Sequence, residues 1–288
     1  MKILVTGATG QLGYDVVRHG MKRGLQMVGI GSRDLDLTKE AEVSTYIREL
    51  NPDAIVHCAA YTAVDRAEDE KEQCWSVNVD ATKYLAQLAK EVNAKLLYTS
   101  TDYVFDGLGE APFMESDQPS PIGYYGITKY EGEEAVKRLA DDWFIVRVSW
   151  VFGSNGSNFV KTMLRLAETR TELNVVGDQV GSPTYTADLA RLLIDIVQTD
   201  KYGVYHASNE GFCSWAEFAQ DIFRQADKDV TVNAISTEDY PTRAVRPKNS
   251  RMSKQNLVRN GFHLLPAWQD AVKRYLSEMD REDTKPMQ

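Results

Sequence analysis

Through the first half of the chain, short apolar runs alternate with segments whose apolar positions recur at helical spacing. The β-like runs cover 2–6, 27–30, 54–60, 95–100 and 144–148, and the helical pattern is clear over 41–50 and 81–92. Near-continuous apolar strands separated by amphipathic helices predict an α/β fold, a doubly wound parallel sheet of Rossmann type covered on both faces. After Trp150 the pattern is less regular, with a turn-rich stretch at 175–183 followed by a helical one at 187–197. The polar tail over 277–288 reads as frayed.

Composition adds exclusions. The 288 residues are 43% hydrophobic and 26% charged, ordinary values for a globular chain with a sizeable core. A net charge of -9 argues against broad nucleic-acid or anionic-membrane binding. No apolar run reaches membrane-spanning length, and the start lacks a secretory pattern. Cys58, Cys74 and Cys213 are scattered and odd in number, which points to a reduced, cytoplasmic setting and to no metal site.

The first strand runs into Gly7-Ala8-Thr9-Gly10-Gln11-Leu12-Gly13 and then into a helical pattern. Such a turn lets the backbone approach a diphosphate without Cβ interference and aims unpaired N–H groups at it. Its GxxGxxG spacing differs from the GxGxxG fingerprint. After the second strand, where an acidic residue often binds the adenine ribose hydroxyls, stand Gly31, Ser32 and Arg33. A hydroxyl and a cation there favour a ribose phosphate, hence NADPH, with NADH as the alternative. The competing reading is a surface turn in which Asp34 and Asp36 pair with Arg33; Asp36 is also within range of the adenine edge. Residues 1–150 are therefore expected to form an NADP-binding domain. Residues 151–288 are expected to form mostly a smaller C-terminal substrate-binding subdomain, with some segments returning to the first domain.

Tyr125 and Lys129 stand four apart, on one face of a helix. Alone, this pair reads equally well as a surface contact. It gains weight from the hydroxyl-rich Thr99-Ser100-Thr101-Asp102-Tyr103 at a strand end, where open α/β sheets place their sites. The basic group Arg243, Arg246, Lys248 and Arg251 suits a diphosphate or, equally, a solvated loop. Trp150 offers a flat apolar wall or a core side chain.

These segments together resemble the extended short-chain dehydrogenase/reductases. More closely, the glycine loop, Ala59-Ala60-Tyr61-Thr62-Ala63-Val64-Asp65, Ser100 to Gly107, Ser149-Trp150-Val151-Phe152 and Arg246 to Arg251 are similar to the dTDP-4-dehydrorhamnose reductase family. The resemblance runs to about Tyr275. It implies NADPH-dependent reduction of a nucleotide-linked 4-keto-deoxysugar, with dTDP-4-dehydro-L-rhamnose giving dTDP-L-rhamnose. It implies Tyr125 as proton donor, Lys129 as the cation that lowers the tyrosine's pKa and holds the nicotinamide ribose, and Thr101 as the hydroxyl on the ketone oxygen. Gly7, Thr9, Gly10, Gln11, Leu12, Gly13, Ser32, Arg33, Asp36, Leu37, Ala59, Ala60, Tyr61 and Thr99 are implied as further cofactor contacts. Thr62, Val64, Asp102, Tyr103, Trp150 and Arg246 are implied as substrate contacts, and Asn78 as a brace.

The small-molecule sugar nucleotide is then the expected partner, with neither nucleic acid nor membrane. Some members of the family dimerise through magnesium held by glutamates. Here Asp15 and the 183–188 segment depart from that pattern, which argues against magnesium and leaves monomer and homodimer open. Dehydratases of the superfamily carry an Asp-Glu pair after the threonine, whereas here Tyr103 follows Asp102. Epimerases, which retain tightly bound NAD+, and a non-catalytic regulatory subunit like that of methionine adenosyltransferase are the remaining alternatives.

Overall fold

Strand β1 (Lys2–Thr6) turns its side chains alternately into two cores: Ile3 and Val5 enter one, Leu4 the other, and all three are fully buried. The same alternation recurs in the other central strands, which explains why they read as unbroken apolar runs. The computed structural model describes residues 1–283. After β1 come α1 (Gln11–Lys22), β2 (Gln26–Ile30), α2 (Glu40–Leu50), β3 (Ala54–His57), α3 (Val64–Ala67) and α4 (Lys71–Trp75). A π-helical turn over Ser76–Asp80 then leads into α5 (Ala81–Glu91), β4 (Lys95–Thr101), α6 (Tyr124–Leu139) and β5 (Trp143–Val148).

The second half contributes β6 (Val151–Phe152), α7 (Phe159–Leu166), β7 (Glu172–Val176), β8 (Val180–Gly181), β9 (Thr184–Tyr185) and α8 (Thr186–Val197). It ends with β10 (Gly203–His206), β11 (Cys213–Ser214), α9 (Trp215–Gln225), β12 (Thr231–Ile235), α10 (Gln255–Arg259) and α11 (Trp268–Asp283). The central sheet is parallel, in the order β10-β5-β4-β3-β1-β2. On one face lie α1 and α8, with Val16, Leu189, Leu193 and Ile196 in the core. On the other lie α2, α5 and α6, with Ile47, Leu85 and Val136.

Helix α8 and strand β10 thus pack with the first half of the chain, although they follow Trp150 in sequence. Leu257 of α10 joins the core under α1 and α8 as well, while α7, α9 and α11 form a separate apolar cluster in which Phe152, Phe218 and Tyr275 are buried. Within it β12 pairs with β7, while β11 pairs with β8 and β9 with β6.

Two expectations change. Strand β3 stops at His57, not at residue 60, because the chain there leaves the sheet and passes against the glycine loop: a Cβ on Gly7 would lie 2.7 Å from the Ala59 nitrogen. The tail is not frayed from residue 277. Helix α11 continues to Asp283, and Glu278 on it accepts hydrogen bonds from Arg18 and Tyr185. Residues 284–288 lie outside the described residues.

Candidate active site

The chain passes from β1 to β2 on one side and returns to β3 on the other, so a crevice opens at the carboxyl ends of β1 and β3. A cavity of about 680 Å³ fills it and extends past the end of β4. At its floor Gly7 adopts a φ of +68°, a conformation glycine enters without steric cost. Gly13 packs so tightly that an added Cβ would lie 2.3 Å from the Gly7 oxygen. Gly10 donates to that oxygen at 2.9 Å and carries no capping side chain, and α1 has no acidic residue in its first turn. The opening N–H groups of α1 are therefore left to an anion. Gly7, Thr9, Gly10, Gln11, Leu12 and Gly13 all line the cavity. This cradle fits the diphosphate of a dinucleotide.

Around the adenosine end stand Ser32, Asp36 and Leu37. Asp34 does not pair with Arg33; it caps the turn, accepting from the Gly31 nitrogen at 2.7 Å. Arg33 is exposed and lies outside the cavity wall. Asp36 accepts from Thr38 through both nitrogen and hydroxyl, which holds its carboxyl below the usual range. Ala59, Ala60 and Thr99 also line the cavity, whereas Tyr61 does not. Its ring packs with Tyr125 and Cys74, and its hydroxyl donates to Glu70.

Helix α6 turns Tyr125, Lys129 and Glu133 inward at four-residue spacing, and the first two line the cavity opposite Thr101. Burial pushes the pKa of the Tyr125 phenol up. This corrects the expectation that the lysine lowers it. Lys129 is itself buried, which brings it down to about 7 against the upward pull of Glu133. Its Nζ donates to the Thr99 carbonyl at 2.8 Å and lies 4.0 Å from the centre of the Tyr98 ring. In both Tyr125 and Lys129, desolvation is the largest cause and disfavours the charged form.

Neighbouring hydroxyls on β4 have different duties. Ser100 donates to Glu133 at 2.6 Å, and Glu133 forms a doubly hydrogen-bonded, fully buried ion pair with Arg147 at 2.8 and 2.7 Å. Thr101 instead donates to Asp102 Oδ1 at 3.0 Å. Asp102 Oδ2 is buried without a hydrogen-bond partner, and burial raises the carboxyl to about 6. Tyr103, Thr62, Val64 and Trp150 complete the wall. Trp150 holds a φ of +48°, a conformation a bulky residue keeps only when its surroundings impose it. Its indole stacks on Trp215 with centroids 3.7 Å apart.

Arg246 is not in this wall. Its guanidinium is paired with Asp65 at 3.0 and 2.7 Å, and it borders two adjoining depressions. Arg243 and Lys248 are likewise paired, with Asp69 and Asp178, so the basic cluster is largely neutralised by acids. Asn78 lies in the π-helical turn, where it holds the Tyr61 backbone nitrogen at 2.8 Å and the Thr128 hydroxyl at 3.0 Å. Asp15 accepts from Thr186 and pairs with Arg18, and Asp188 pairs with Arg274. Among the described residues no group of three or more His, Cys, Asp or Glu is placed to hold a metal.

Sequence reasoning missed Glu133 and Trp215. The four-residue spacing from Tyr125 through Lys129 to Glu133 was available as a signal; the pairing of Trp215 with Trp150 across the fold was not.

A family model described as RmlD substrate binding domain matches residues 1–281. The dTDP-4-dehydrorhamnose reductase of Aggregatibacter actinomycetemcomitans is 42% identical over 286 residues, covering 94% of this chain and 97% of the relative. The crystal structure of dTDP-4-dehydrorhamnose reductase from Bacillus anthracis in complex with NADP superposes with a TM-score of 0.94 at 42% identity. That match covers 96% of this chain and 100% of the other. The UDP-glucose 4-epimerase of Thermus thermophilus in complex with NAD shares the fold alone, with a TM-score of 0.85 at 18% identity over 97% of this chain and 99% of that one.

Proposed function

The chain belongs to the dTDP-4-dehydrorhamnose reductase family, and from that premise we propose that it reduces dTDP-4-dehydro-L-rhamnose to dTDP-L-rhamnose with NADPH through Thr101, Tyr125 and Lys129. The observation that carries the assignment of residues is that all three side chains line the one cavity that also holds the glycine loop. NADPH, when bound, supplies the hydride. Tyr125 supplies the proton: its phenol keeps the hydrogen until the ketone oxygen turns into an alkoxide, a far stronger base than a phenolate. The Thr101 hydroxyl, turned from Asp102 Oδ1, donates its single hydrogen to the oxygen on which charge develops. In its charged form Lys129 favours that phenolate, and its hold on the Thr99 carbonyl keeps it at the end of β4.

Asp102 fits the sugar side. Its unpartnered Oδ2 is an acceptor awaiting a donor, and a sugar hydroxyl is one. The flat face of Trp150 suits the apolar side of a deoxysugar. Three free cysteines support a reducing, cytoplasmic setting. The test is NADPH oxidation with dTDP-4-dehydro-L-rhamnose and identification of the product. Release of firmly held NAD+ from the purified protein, with no oxidation of NADPH, would favour an epimerase instead.

A further inference from the structure

Between β6 and α7 the chain crosses over the glycine loop, and the reaction as described makes no use of this segment. Asn155 donates from Nδ2 to two carbonyl oxygens of that loop, Thr9 at 2.7 Å and Gly10 at 3.2 Å. From the first turn of α7, Lys161 ties the segment down through the Ser154 oxygen and, at 2.9 Å, the Gly156 oxygen. Asn158 caps α7 by accepting from the Lys161 nitrogen at 3.0 Å and also donates to the Gln11 side chain at 3.1 Å. Ser157 lines the same cleft.

A peptide unit is planar and trans, so its C=O and N–H point in opposite directions. Pinning the Thr9 and Gly10 carbonyls from outside therefore fixes two peptide planes of a loop rich in glycine. The second plane carries the N–H of Gln11, the first residue of α1. Gly10 has already used its own N–H on the Gly7 oxygen, so the donors left for an anion begin at Gln11. Fixing them before the ligand arrives removes an ordering cost from binding.

We propose that Asn155 is a positioning residue for the cofactor: its amide locks the peptide planes of the glycine loop so that the N–H groups opening α1 meet the diphosphate. Segment 154–158 straps that loop to α7, in the other apolar cluster. The inference rests on the reading of the cleft as an NADPH site. An ordering contribution about the size of one ordinary hydrogen bond predicts a roughly three- to tenfold loss of affinity when the amide is removed.

The test titrates NADPH and adenosine 2′-monophosphate, which has no diphosphate, into the wild type, Asn155→Ala and Asn155→Asp. Asn155→Asp keeps the shape of the side chain and removes the donor. Both variants are expected to bind NADPH roughly three- to tenfold more weakly and to bind adenosine 2′-monophosphate as the wild type does. KM for NADPH rises while kcat at saturating NADPH changes less than about twofold. Unchanged NADPH affinity in either variant, or a parallel loss of adenosine 2′-monophosphate, would overturn the proposal. A wild type that binds no NADPH would instead overturn the cofactor reading, and the proposal with it.

Discussion

Lys129 donates to the Thr99 carbonyl at 2.8 Å, so the strand that ends in Thr101 also anchors the cation of the site. Helix α6 and strand β4 are thereby fixed to one another at the point where a ketone would lie between Thr101 and Tyr125.

Replacing Asp102 with asparagine should stabilise the fold while impairing turnover. The carboxyl is raised from 3.8 to about 6 by burial, so the folded state binds the proton more tightly than the unfolded chain. Its favourable contribution is complete below about pH 4 and is lost as the pH rises through 6; at neutral pH the buried carboxylate costs roughly 3 kcal/mol. Thermal unfolding of wild type and Asp102→Asn should therefore show a higher Tm for the variant at pH 7.5, with the gap closing toward pH 4. A constant gap across that range would remove Asp102 ionisation as its cause.

The charge of Lys129 sets a second pH dependence. With a pKa near 7, the ammonium is present below that value and lost above it. If the charged form serves cofactor binding and the phenolate, kcat/KM for NADPH falls as the pH rises through about 7. Glu133 pulls that value upward, so Glu133→Gln should move the falling limb to lower pH. A limb that stays in place in the variant would show that another group titrates there.

Arg33 is exposed beside the turn capped by Asp34, free to swing toward a phosphate on the adenine ribose. Arg33→Ala should weaken NADPH by roughly tenfold and leave NADH nearly unchanged. Isothermal titration with both nucleotides checks this, and equal losses would refute a phosphate contact.

Much of the fold was legible because its strands are buried on both faces and its helices are amphipathic. Apolar runs such as Ile3-Leu4-Val5 and Ala54-Ile55-Val56 announce themselves without knowledge of their partners. The glycine loop, Tyr125 and Lys129 were legible for a similar reason, since each depends on local spacing. What stayed hidden depends on packing across the chain. Burial drives the Tyr125 and Lys129 pKa values in directions that their proximity alone would not give. The partners of Arg246, Trp150 and Asn155 lie far away in sequence, at Asp65, Trp215 and the Thr9–Gly10 backbone.

The central claim is that Tyr125 gives its proton to the ketone oxygen of the sugar. Its most direct test is NADPH oxidation with dTDP-4-dehydro-L-rhamnose, comparing wild type with Tyr125→Phe alongside NADPH titrations of both. The account predicts unchanged cofactor affinity and a kcat lower by roughly 10²- to 10⁴-fold in the variant. Equal kcat in the two proteins would contradict it.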